Sequence, residues 1–195
     1  CITWYQLHAP DPNIPFAETV GALKRLQDEG KIRYVGLSNV GVLEIEVARR
    51  ILDVVSVQNR CNPFDRNSFD TGVVAHCTRE NIAFLPHSPV GGHQGHTRTP
   101  EDPTLRAVGD RHGISPYQVC IAWLLALSPV MLPIPGASRT ESARSSAAAG
   151  DAVLNDEDMQ DLARALTDLR GLRNAEQTRS RPSPLDLRRS PRRRS

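Results

Sequence analysis

Apolar and polar positions along this chain switch between two periods, and the switch recurs roughly every 22 to 26 residues. Short apolar runs of strand length, with Ile2 to Leu7 the first, give way to stretches where apolar residues return every three or four positions. Phe16, Val20, Leu23 and Leu26 keep that helical spacing behind Pro15, which suits a first helical turn, until Gly30 stops the helix. Tyr34 to Ser38 predicts a second strand, followed by a helix around Leu43, Val47 and Ile51. Val54 to Gln58 predicts a third, with a weaker helix near Val73 to Thr78. A fourth strand, Ile82 to Leu85, runs into a loop rich in Gly and His, Gly91 to His96. A helix near Thr104 to Arg111 stops at Gly113, and Ser115 with Pro116 caps an apolar helix through Val119, Ala122, Trp123 and Ala126. Val130 to Ile134 predicts a fifth strand, and a helix from Asn155 through Met159, Leu162 and Leu166 closes the pattern.

Strands of near-continuous apolar content, each separated by a helix, imply an α/β fold with a parallel sheet under helices. A closed eight-stranded barrel takes about 250 residues, so about five strands in this length predict an incomplete TIM (β/α)8 barrel. An open doubly wound sheet is the competing arrangement, but no GxGxxG follows the first strand. An incomplete barrel leaves two unpaired edges, at the segments containing Leu7 and Leu132, and such edges favour self-association.

Composition narrows the setting. With 195 residues and 39% hydrophobic content the chain can bury one domain core, and no apolar run approaches the roughly 18 residues of a membrane span. Cys1, Cys61, Cys77 and Cys120 show no CxxC spacing, which fits free thiols, and no leader precedes the first strand. A cytoplasmic protein is expected on those two grounds. The net charge of +2 hides a basic end, where residues 170 to 195 carry nine arginines against Glu176 and Asp186. Low apolar content and several prolines there predict a disordered Arg-rich tail over 170–195 behind a domain over 1–169. Such a run can contact phosphates, but no aromatic is interleaved to stack bases, so nucleic acid is not the expected partner.

Two strand ends carry the chemistry. Lys31 to Asn39 finishes on Ser38 and Asn39, and Ser56-Val57-Gln58-Asn59 finishes on amides, as parallel barrels end their strands at an active rim. Five segments in order, Tyr5 to Asp11, Gly30 to Asn39, Gln58 to Asn62, Pro86 to Gly92 and Ile134 to Arg139, resemble the aldo-keto reductase family over roughly residues 1 to 168. The resemblance implies a TIM barrel, entered here from its fourth strand, that binds NADPH without a Rossmann motif and reduces aldehydes and ketones. It places His8 at the active-site histidine and Ser38, Asn39 and Gln58 on the nicotinamide carboxamide. His87 falls where relatives stack an aromatic on the nicotinamide, within a segment that also holds Ser88 and Val90. Gly91 and Gly92 fall at the pyrophosphate, and Gly136, Ser138 and Arg139 at the adenosine-side phosphate.

These residue types suit those roles. A neutral imidazole at His8 can donate to a carbonyl and favour the oxyanion that forms on reduction. Hydroxyl and amide groups at Ser38, Asn39 and Gln58 match both faces of a carboxamide, and Asn39 could also cap the following helix. An Arg at 139 suits the 2'-phosphate of NADP over a plain ribose hydroxyl. The family's Tyr general acid, with its Lys and Asp, lies on strands that precede residue 1 in this reading, and Lys24, Lys31 and Tyr34 belong to later motifs. General acid catalysis is worth ~10² to 10⁴ in rate, so the chain alone is expected to be nearly inactive. Arg144-Ser145-Ser146 also departs from the family's Glu-Asn at the adenine end. The competing function is a non-catalytic nucleotide-sensing or protein-binding barrel module. His87, His93 and His96 have no carboxylate or thiol at ligand spacing, so no metal is expected.

Overall fold

The structure, a computed structural model, describes residues 1–165 apart from the side chains of His93 and Gln94. The tail over 170–195 and the boundary at 169 lie outside the described residues.

Four parallel strands stand in sequence order: β1 (Ile2–Leu7), β2 (Ile32–Ser38), β3 (Val54–Arg60) and β4 (Ala83–His87). Between them run α1 (Phe16–Asp28), α2 (Val42–Arg49), and the short pair α3 (Asn67–Asp70) and α4 (Val73–Arg79). Pro15 precedes α1 as its N-cap instead of entering the first turn. Gln6 pairs with Gly36, Ser38 with Gln58, and Arg60 with His87. Because side chains alternate between faces, that register sorts the sheet into two unlike surfaces.

Val35, Leu37, Val57 and Phe84 share one face and are fully buried in a core with Val20, Ile45 and Val74. Each such side chain contributes about 1.5 to 3 kcal/mol, so this face holds the helices in place. The other face is polar and open. Trp4 Nε1 donates to Ser56 Oγ at 3.1 Å, and Gln6 Nε2 donates to the Leu37 carbonyl at 2.8 Å. A Cβ on Gly36 would lie 2.6 Å from Gln6 Oε1 and 2.9 Å from Trp4 Nε1, so only glycine lets those side chains cross there. Trp4 and Tyr34 on this face remain 46% and 41% exposed.

The expected fifth strand, Val130 to Ile134, is reduced to two isolated parallel bridges, Phe84 to Met131 and His87 to Ile134. The Leu132 and Ile134 N–H groups donate to the Phe84 and Pro86 carbonyls, but Pro86 of β4 has no N–H to return to Leu132, so the ladder is interrupted between the two bridges. About five strands therefore become four and a bridged segment.

In the second half, α6 (Pro103–His112) begins on Asp102, whose carboxylate accepts from the Thr104 and Leu105 N–H groups, and ends at Gly113 with φ 62°. Ser115 and Gln118 form a reciprocal cap on α7 (Pro116–Leu127), as its sequence predicts. A helix that the periodicity does not announce follows, α8 (Thr140–Ala148), which buries no residue and so carries no large apolar stripe. The chain is helical again over 156–165, where the fully buried Asp158 accepts from Arg111 and His112 of α6.

Candidate functional site

Most of the residues picked out by sequence gather where β1 to β4 end. His8 lies just past β1, exposed, and its carbonyl accepts from Asn39 Nδ2 at 2.9 Å. Asn39 has φ 58°, a left-handed conformation that Asn tolerates well, and its amide also donates to Ser38 Oγ at 3.2 Å. Its N–H donates to the Gln58 carbonyl at 3.1 Å, which locks the end of β2 to β3. Asn39 does not cap α2; Gly41 does, with its N–H donating to Glu44. Ser38 is 2% exposed, and the half-buried Gln58 beside it has no side-chain hydrogen bond among the described residues.

Two further amides, Asn59 and Asn62, hold this rim together. Buried Asn59 donates to the Val40 carbonyl at 2.8 Å and accepts from the Val40 N–H at 3.1 Å, clamping the turn that carries Asn39. Asn62 donates to the Ser88 carbonyl at 3.0 Å and accepts from the Phe64 N–H at 2.9 Å, joining the loops after β3 and β4. Their signal in the sequence was the density of amides, Gln58-Asn59-Arg60-Cys61-Asn62, just past an apolar run. Arg60 ties the same loops, donating to the Gly91 carbonyl at 3.3 Å and pairing with Asp65 at 3.3 Å.

His87 ends β4 opposite Arg60, with Nδ1 3.1 Å from Ser88 Oγ. Burial, then the Arg60 charge, hold its pKa below the usual imidazole value, with His8 acting the same way and Asp65 opposing. A neutral ring results. Ser88, Gly91 and Gly92 all take left-handed φ, of 55°, 98° and 68°, and turn the chain into α5 (Gly92–Gly95), where only a loop was expected. A Cβ on Gly91 would lie 2.6 Å from the Gly95 backbone, so glycine is required at that turn. Buried Thr99 donates to the Val90 carbonyl at 2.9 Å and holds the loop from behind.

A cleft of about 500 Å³ opens beyond this loop, with Ser88, Val90, Gly92, Tyr117, Gly136 and Ser142 among its walls. Ser138 and Arg139 are exposed at the start of α8 and are not among those walls. A second polar cleft of about 500 Å³ lies between the loops after β2 and β3, against Asn39, Asn59 and Arg60.

A parallel β/α sheet with polar strand ends converging on one rim is the architecture of barrel enzymes that work at their C-terminal face. The chain belongs to the aldo/keto reductase family, whose family model matches residues 1–167. An uncharacterized oxidoreductase of Schizosaccharomyces pombe is 38% identical over 140 residues, covering 72% of this chain and 44% of that protein. Pyridoxine 4-dehydrogenase of Escherichia coli is 36% identical over 136 residues, covering 69% and 45%. Among solved structures, the thermostable aldo-keto reductase Tm1743 with the inhibitor epalrestat superposes with TM-score 0.74 at 31% identity, over 84% of this chain and 59% of its own. An aldo-keto reductase from Klebsiella pneumoniae in complex with NADPH gives 0.73 at 26% identity, over 83% and 57%. The chain thus spans about half the length of the curated relatives it matches. The family match begins at residue 1 and lends no support to the finer reading that the chain starts at the family's fourth strand.

Proposed function

We propose that this chain supplies the nucleotide-side portion of an NADPH-dependent carbonyl reductase site, in which an aldehyde or ketone becomes an alcohol. The observation that carries the proposal is the rim itself: Ser38, Asn39 and Gln58 on neighbouring strand ends, tied by the Asn39 amide to the segment holding His8. The residues fit a dinucleotide. The unengaged Gln58 amide and the Ser38 hydroxyl offer donor and acceptor groups to a carboxamide, and the cleft behind Gly92 has room for phosphates beside backbone N–H groups. Bound there, NADPH would supply the hydride.

The chain's own groups have narrower tasks. Ser38, Asn39 and Gln58 would fix which face of the nicotinamide meets the substrate, and the neutral His87 ring would lie against it. The His8 imidazole would donate a hydrogen bond to the substrate carbonyl oxygen and so favour charge building there. Proton delivery needs another group. Tyr117 donates its hydroxyl to the His96 carbonyl, Tyr5 pairs beside the buried Val35, and Tyr34 lies four residues before Ser38, about 13 Å down the strand. We therefore infer that the 195-residue chain binds NADPH with little or no turnover.

Fluorescence titration with NADPH, followed by a turnover assay on a generic aldehyde, tests both parts. Binding that weakens in Gln58→Ala, with negligible turnover, is the expected result. Absence of NADPH binding by a folded chain overturns the proposal, and efficient turnover overturns the claim of incompleteness. Binding that instead regulates a partner protein would favour the sensing module.

A further inference from the structure

A smaller cavity of about 240 Å³ opens next to the strand-end rim, and two arginines wall it: Arg60 and Arg98, with Asn62, Phe64 and Asp65 alongside. Arg60 and Asp65 also line the polar cleft that reaches Asn39, so the cavity adjoins the residues assigned above to the nicotinamide. Arg60 is in register with His87 at the end of β4. Burial, and after it the Arg60 charge, lower the pKa of that ring.

The two guanidiniums are held differently. Arg60 spends one donor on the Gly91 carbonyl and one on Asp65, which leaves three of its five N–H groups. Arg98 lies 4.6 Å from the centre of the Phe64 ring and pairs with no carboxylate among the described residues. An arginine fixed over an aromatic face keeps its planar fork in place and unneutralised. Asp65 cancels one of the two charges, so the cavity keeps a net charge of one positive unit, the complement of a monoanion.

We propose that Arg98 and Arg60 form a specificity pocket for a carboxylate, making the preferred substrate an aldehyde or ketone that bears a carboxylate remote from its carbonyl. The proposal rests on the carbonyl-reductase reading above and adds the substrate's charge and the residues that read it. Bidentate guanidinium–carboxylate bonding supplies the selectivity, because a neutral ester of similar size can accept bonds but brings no charge.

The test compares 4-carboxybenzaldehyde with methyl 4-formylbenzoate by calorimetric titration into the full chain, with and without NADPH, at low and high salt. A preference of about tenfold or more for the carboxylate is expected, falling to a few-fold in Arg98→Gln and weakening with salt. Arg98→Lys should retain part of it, since a point charge replaces the fork. Arg98 is exposed, so its substitution leaves the fold intact, and circular dichroism verifies this; Arg60→Gln, which also breaks two ties, is the secondary variant. Equal binding of the two aldehydes, or a preference that survives both substitutions, overturns the pocket. The NADPH arm reads the enzyme proposal separately. NADPH binding without a carboxylate preference sinks only the pocket, whereas a preference without NADPH binding sinks only the cofactor reading.

Discussion

Replacing Asn59 by Leu is the sharpest probe of how the rim is held. The side chains are close in size, so the substitution removes two hydrogen bonds with little change in volume. Both bonds go to Val40, at 2.8 and 3.1 Å, and Val40 is itself buried. Its N–H and carbonyl would be stranded away from water, at about 1 to 3 kcal/mol each, or roughly 2 to 6 kcal/mol together. The Val40 turn carries Asn39, so the local loss should appear before the global one. Amide hydrogen exchange reads this directly. The Val40 N–H should lose about tenfold to a thousandfold in protection while the β1–β2 amides, on the far side of the register, change much less. NADPH affinity should fall in step, because Asn39 no longer has a fixed direction. Asn59→Asp should do worse than Leu at neutral pH, since it sets a charged acceptor against the Val40 carbonyl. If the Val40 amide in Asn59→Leu stays as protected as in the parent chain, the clamp is not what holds the turn.

Three more outcomes follow from the same geometry. By NMR titration the His87 midpoint should lie below the ordinary value of about 6.5 and move part of the way back in Arg60→Gln, burial accounting for the remainder; an unmoved midpoint would remove the Arg60 contribution. Burial pushes Asp158 up, but the Asn155 N–H, His112 and Arg111 outweigh it and hold its pKa below the usual carboxylate range. The unfolded carboxylate then takes a proton first, so this stability is present above about pH 4 and is lost as pH falls through and below it. Asp158→Asn should cost about 1 to 3 kcal/mol at neutral pH and flatten the acid limb of a urea-melt series, and an unaltered limb would contradict the assignment. The open face around Trp4 and Tyr34, with the β1 edge, should make the chain associate as concentration rises, and a compact monomer throughout a sedimentation series would count against this.

Legibility followed the physics of each segment. Helices that bury a stripe against the sheet, such as α1 through Val20 and Leu23, or that carry full caps, such as α7 behind Ser115 and Pro116, announce themselves through spacing and end residues. The helix α8 does not, because Ala and Ser facing water leave no period to read. The segment from Val130 to Ile134 reads as a strand from its apolar content and does dock on β4, but Pro86 of β4 withholds the N–H that would make the ladder continuous. Ser38, Asn39, Gln58 and His87, which the sequence marks by side-chain type at strand ends, lie together at one rim. The roles of Asn59 and Asn62 were not readable in this way, because their partners are backbone groups of distant loops, Val40 and Ser88, which only the fold brings within reach. Ser138 and Arg139 illustrate the opposite limit: the motif that contains them is plain, yet they stay outside the cleft that Gly136 lines.

The two faces of the sheet divide stability from chemistry. Val35, Leu37, Val57 and Phe84 are fully buried on the helix-side face, while Tyr5 at its β1 edge stays exposed. Among the described residues no comparable cluster covers the other face, where Trp4, Gln6 and Ser56 cross above Gly36 in a polar lattice. The same register that sends those aliphatic side chains outward to the helices brings Ser38, Gln58, Arg60 and His87 to the opposite side, at the strand ends. Strand alternation therefore makes the packing and the rim two readings of one pairing. A one-residue slip of β3 against β2 would expose Val57 and bury Gln58 and Arg60, a cost of several kcal/mol that fixes the site as firmly as it fixes the core. The rim is consequently held twice, by the helix-side packing that fixes the strand register and by the Asn59, Asn62 and Arg60 bonds that fix its loops.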